Sequence, residues 1–155
     1  MAAAPTDKLY STYKTFLMQG TGTTTLTYAK LCDIKTYPDM GGSPDMIDMT
    51  TLSNRSKIGV PGIQNNDAMQ FTLNYNPTVY TTLHALADCN AYHFAIYFGG
   101  TEDVSTGVVT PTGDDGKFTF DAMLDVFVSG KGVNEGREMT LTLTPTTDIA
   151  FDAPT

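Results

Sequence analysis

Three stretches of this chain alternate apolar and polar residues with a period of two, and no other feature constrains the fold as much. In residues 69–75, Met69, Phe71, Leu73 and Tyr75 fall on one side, and Gln70, Thr72 and Asn74 on the other. In residues 117–128, Phe118, Phe120, Ala122, Leu124, Val126 and Val128 alternate with Lys117, Thr119, Asp121, Met123, Asp125 and Phe127. Near the C-terminus, Met139, Leu141 and Leu143 alternate with Thr140, Thr142 and Thr144. Successive side chains of a strand point to opposite faces, so each stretch reads as a strand with one face buried and one face wet. Strands of that kind belong to antiparallel sheets.

The remaining elements are placed around these three. Residues 23–33 read as a first strand, 47–52 as a second and 92–98 as a fourth, giving about six in all. Between the third and fourth, Asn76 is a good helix cap and Pro77 suits the first helical position. Val79, Leu83, Leu86 and Ala87 then share one stripe, predicting a helix of about three turns that ends near Asp88. Residues 99–116 are expected to be mostly loop, with a short strand at Val108-Val109 and a turn at Asp114-Asp115-Gly116. Ahead of the first strand, Leu9, Tyr13, Phe16 and Leu17 have helical spacing and predict a short amphipathic helix. The expected fold is mainly β: an antiparallel β-sandwich or small barrel of about six strands with one α-helix packed on it. Its parts would be an N-terminal arm (1–22), a β domain (23–146) with a long loop (53–66), and a tail (147–155) anchored by Ile149 and Phe151.

Composition bears on function mainly by exclusion. The formal net charge of −8 argues against gripping nucleic-acid phosphates, which takes clustered Lys and Arg. No apolar run approaches the ~18 residues of a membrane span, and the first residues do not read as a signal peptide, so no membrane anchor is expected. Cys32 and Cys89 each lie beside apolar residues and are expected to be buried free thiols. Most of the methionines (Met40, Met46, Met49, Met69, Met123 and Met139) are expected in the core. His84 and His93 lack metal-ligand spacing, and neither a phosphate loop nor Gly-x-Ser-x-Gly occurs. Asp121 and Asp125, four apart on one strand, would lie ~13 Å from each other. That is too far for the shared site of a glycosidase. The reading is of a chain that is not an enzyme and holds no cofactor or metal.

What the strands do suggest is self-association. They are rich in Thr, poor in Lys and free of interior Pro, so little blunts the sheet edges against pairing with another chain.

Several motifs occur in a suggestive order. Thr50-Thr51-Leu52-Ser53-Asn54 is followed by Val60-Pro61-Gly62-Ile63, by the alternating strand 69–75, and by Asn76-Pro77. Gly132-Val133-Asn134 leads into the last strand, which closes on Thr144-Pro145-Thr146. Over roughly residues 26–149 this order and spacing resembles the major tail tube protein of long-tailed (siphovirus-like) bacteriophages. The resemblance implies a structural subunit of a virion tail, assembled in the host cytoplasm. Subunits would form rings of six that stack into a hollow conduit around a tape-measure protein. Viral DNA would pass through the lumen without specific binding, and tail terminator and tail tip or baseplate proteins would be further partners. Contact between rings would fall to Arg55, Lys57, Ile58, Pro61 and Ile63. The lumen would be lined by Gln70, Thr72, Asn74, Thr119, Asp121, Thr140 and Thr142. The alternatives are a tube protein of a contractile injection or secretion system and, more distantly, a ligand-binding β-sandwich. Against the latter, the chain has no Trp and no calcium-loop spacing.

Overall fold

The computed structural model describes residues 13–153. They form nine strands and one helix: β1 (Thr15–Thr21), β2 (Thr27–Cys32), β3 (Pro44–Asp48), β4 (Gly59–Gln64), β5 (Met69–Asn74), α1 (Pro77–Leu86), β6 (Ala91–Glu102), β7 (Val109–Val128), β8 (Glu138–Pro145) and β9 (Ala150–Asp152). The protein is mainly β, an antiparallel sheet with one helix packed on it.

Seven strands make one antiparallel sheet in the order β2-β1-β6-β7-β8-β5, with β9 pairing the first half of β7. The sheet curls until the chain just beyond β2 meets β5. There Lys35 N–H donates to the Thr72 carbonyl (2.7 Å) and Thr36 bridges Thr72. Glu138 at the start of β8 accepts from both Lys35 and Lys131, clamping this seam. The three alternating stretches occupy β5, β7 and β8 as their periodicity requires. Phe71, Leu73, Met139, Leu141 and Leu143 are buried inside the curl with Leu17, Phe94, Ile96, Phe120 and Leu124. Helix α1 plugs the interior with Leu83, which is fully buried. Asn76 caps the helix: its side-chain oxygen accepts from Thr78 N–H at 2.9 Å.

The structure departs from the sequence reading in four places. The helix expected from Leu9, Tyr13, Phe16 and Leu17 is not formed where the chain is described, because Thr15–Thr21 is strand β1, between β2 and β6. Its run Phe16-Leu17-Met18 is apolar without alternation because both faces are covered. Leu17 points into the main core, while Phe16 and Met18 join Ala95 in a second cluster on the outward face. Leu9 and Tyr10 lie outside the described residues. Second, residues 99–116 are not mostly loop. Strands β6 and β7 continue through them as a projecting hairpin in which Gly100 pairs with Pro111 and Glu102 with Val109. The expected turn at Asp114-Asp115-Gly116 is a kink within β7, which Gly113 (φ 71°) and Gly116 (φ 124°) make possible. Third, the second strand lies at Pro44–Asp48 rather than 47–52. Fourth, Val60-Pro61-Gly62-Ile63 is strand, not loop. Pro61 is tolerated there because β4 pairs on one side only, as the outer member of a two-stranded sheet with β3.

Candidate assembly surface

The β3–β4 hairpin stands apart from the barrel. Its two strands pair with each other, Ile47 opposite Val60 and Met46 opposite Pro61, and pack against no other element to a comparable degree. Two short ties hold its base: Gln64 Nε2 donates to the Gly42 carbonyl (2.7 Å), and Asn66 Nδ2 donates to Asp148 Oδ1 (3.1 Å). Its apolar side chains face water. Leu52 is fully exposed, Ile63 is 85% exposed and Met46 65%, and Ile47, Met49, Ile58 and Val60 are exposed as well. Met46 and Pro61 share one face of the ribbon and Ile47 and Val60 the other, so neither face has a covering layer.

The tip between the two strands is nonetheless ordered, by its own polar groups. Asp48 Oδ1 accepts from Thr50 N–H (2.9 Å), and Thr50 Oγ1 accepts from Ile58 N–H (2.8 Å). Asn54 Oδ1 accepts from both the N–H and the hydroxyl of Thr51 (2.7 and 2.8 Å). The hydrogen bonds from Thr50 hold the Asp48 carboxyl below its ordinary pKa. Short side chains bonding the backbone in this way fix a turn without a core. Arg55 and Lys57 project from this tip, and neither forms an ion pair among the described residues.

The five residues expected at the contact between rings, Arg55, Lys57, Ile58, Pro61 and Ile63, lie on one hairpin, all of them exposed. The expected lumen residues divide into two patches on the outward face of the sheet. Gln70, Thr72 and Asn74 of β5 sit beside Thr140 and Thr142 of β8, with Gln70 paired to Thr142 and Thr72 to Thr140. Thr119 and Asp121 lie on the other half of β7, facing Ala95 and His93 of β6. Asp121 Oδ1 and His93 Nδ1 are 2.5 Å apart.

Two expectations about chemistry are corrected. Cys32 is buried, and that burial, with Asp33 beside it, pushes its thiol up to about 12; Cys89, at the end of the helix, is exposed. Met46, Met49 and Met123 are exposed rather than in the core. Among the described residues no group of three His, Cys, Asp or Glu side chains converges as a metal site would require. None of the described helices is long and apolar enough to cross a membrane.

The sequence reading missed the second projection, the outer part of the β6–β7 hairpin. Residues 101–108 are all exposed, including Val104 and Val108. Asp103 organises its turn by accepting from Ser105 N–H (3.0 Å) and Ser105 Oγ (2.7 Å), which also holds its carboxyl below the ordinary value. The Asp103 to Gly107 run carries the signature of such a turn, but without the flanking strands it read as loop.

No protein-family model matches the chain, and no curated protein does. Solved structures do. The sheath/tube terminator of an extracellular contractile injection system (PVC), in its extended state, superposes with a TM-score of 0.66 at 10% identity, over 96% of this chain and 100% of that one. The tube-terminating cap of the anti-feeding prophage gives 0.66 at 10% identity, over 98% and 96%. A chain of the PVC sheath-tube complex in the extended state gives 0.61 at 10% identity, over 92% and 90%. The chain shares the fold of these proteins along nearly its whole length. Two of the three are parts of an extracellular contractile injection system, and the other is the cap that terminates a tube.

Proposed function

We propose that the protein is a structural subunit of a tube, either a repeating ring component or the ring that caps one end. The β3–β4 hairpin carries this reading: a preorganised, two-faced apolar ribbon that the described residues leave uncovered. Patches of this kind mark interaction sites. The fold neighbours come from contractile injection systems, so they support a machine of that type more directly than the tail of a long-tailed phage.

The energetics favour a closed ring over a loose pair. Full burial of a Leu, Ile or Met side chain is worth ~1.5–3 kcal/mol. Several of the seven apolar side chains exposed on the hairpin are already half-buried, so the surface they still expose, about four and a half side chains' worth, offers roughly 10 kcal/mol by that measure. Association costs an estimated ~4–15 kcal/mol in lost freedom. One hairpin contact therefore roughly balances its own cost, and stability comes when several subunits close a ring and each holds two neighbours. In this reading six copies form the ring, a tape-measure-like protein and a tip or baseplate complex set its length and start, and the Thr-, Gln- and Asn-lined face of β5 and β8 forms part of a lumen to which a polyanion does not adhere.

Negative-stain electron microscopy of the purified protein over rising concentration tests this. Rings or hollow filaments of uniform width are expected. Solitary particles at every concentration, even beside an initiating tip complex, would overturn the reading.

A further inference from the structure

The hairpin tip and the β6–β7 arm are complementary in charge. The tip carries Arg55 and Lys57, and its one acid, Asp48, is engaged by Thr50. The arm carries Glu102, Asp103, Asp114 and Asp115 against one basic residue at its base, Lys117, whose side chain lies along Gly113 and over the Tyr97 ring. Both projections carry exposed apolar groups, Leu52 and Ile58 on one and Val104 and Val108 on the other. Each is stiffened by side-chain hydrogen bonds to its own backbone, so little ordering entropy is lost on contact. Within the described residues the two elements make no appreciable contact with each other.

We propose that the β3–β4 tip of one copy docks on the acidic β6–β7 arm of the next copy, with Arg55 and Lys57 facing Glu102 and Asp114. This rests on the tube-subunit reading and names the acceptor surface for its hairpin. The occupant is a second copy of this chain because the same molecule carries both halves of the match. Two different patches on identical chains make a head-to-tail interface, which closes into a ring or extends into a filament and does not stop at a two-fold dimer. Outside residues 49–58 the chain is strongly acidic, so the pairing also sets orientation: acidic faces repel in other arrangements.

The test uses two charge-reversed full-length chains, R55E/K57E and E102K/D114K. Asp103 is left intact because it builds its turn. Each variant alone should lose at least tenfold in sedimentable assembly while keeping the wild-type circular dichroism and melting temperature. Mixed one to one, they should assemble again, because the acidic tip of the first matches the basic arm of the second and the basic tip of the second matches the acidic arm of the first. Misfolded chains would not show that rescue. Wild-type assembly without rescue in the mixture, or a variant that assembles normally alone, overturns this pairing and leaves the tube reading standing. A wild type that never assembles overturns both.

Discussion

The barrel and the β3–β4 hairpin use the same apolar residue types and place them oppositely. In the barrel, Phe71, Leu73, Leu141 and Leu143 are buried inside the curl among side chains of other strands and Leu83 of the helix. In the hairpin, Met46, Ile47, Val60 and Ile63 have a strand partner in the plane of the ribbon and water above and below. Within one chain the curled sheet closes where Thr36 bridges Thr72. An isolated two-stranded hairpin is marginal in water, and this one is held by its tip hydrogen bonds and two ties at its base. On the proposed function, independent folding and assembly are divided between two regions of a single small chain.

Substitutions should separate the two roles. The largest effect on stability is expected from Phe71→Ala in the barrel, about 3–5 kcal/mol from lost burial and the cavity left behind. Denaturant titration measures it, and assembly should fail because the subunit no longer folds. Asn76→Ala removes the helix cap and should cost about 1 kcal/mol, enough to lower the melting temperature without preventing assembly. Ile63→Ser, on the hairpin, should change the denaturation midpoint by less than about 0.5 kcal/mol, as exposed positions usually do, yet reduce assembly severely. A large stability loss from Ile63→Ser would break the comparison, since it would mean the hairpin is part of the barrel's own core.

Two chemical probes sharpen the contrast further. At pH 8 a thiol reagent should modify Cys89 quickly and leave Cys32 untouched until the chain unfolds, because Cys32 is buried with its pKa pushed up to about 12. Mass spectrometry of the labelled peptides reads this out, and equal labelling would show the barrel wall to be open at β2. The smallest effect concerns the seam. Hydrogen bonds from Lys35 and Lys131 hold the Glu138 carboxyl below its ordinary value of 4.5. A depressed carboxylate stabilises the folded state fully above its unfolded pKa and loses that contribution as pH falls through the folded value. Glu138→Gln should therefore be slightly less stable than wild type at neutral pH. The gap should close as the pH falls from about 4.5 through the folded-state value, as seen in melting curves across that range.

How much of this was legible in the sequence follows from how each strand is covered. β5, β7 and β8 have one wet and one dry face, so their side chains alternate and the pattern is visible. β1 is covered on both faces, which leaves the apolar run Phe16-Leu17-Met18, and its spacing fits a helix equally well. The outer halves of β6 and β7 contain Gly99, Gly100, Pro111, Gly113 and Gly116, residues that usually mark loops. Here they permit a bulge and a kink in strands held by ladder hydrogen bonds. The hairpin was legible as a long ordered insertion with two basic residues. Its exposure was not, because Met46 and Ile47 look the same in sequence whether they face a core or water.

Hydrogen–deuterium exchange of the backbone, measured once on dilute monomer and once on assembled material, addresses the division most directly. Amides of β5, β7 and β8 should be protected in both samples, whereas those of residues 44–64, ordered but without a covering layer, should exchange faster than the barrel in the monomer and slow by ~100-fold or more on assembly. Hairpin amides already protected to barrel levels in the dilute monomer, or unchanged on assembly, would contradict it.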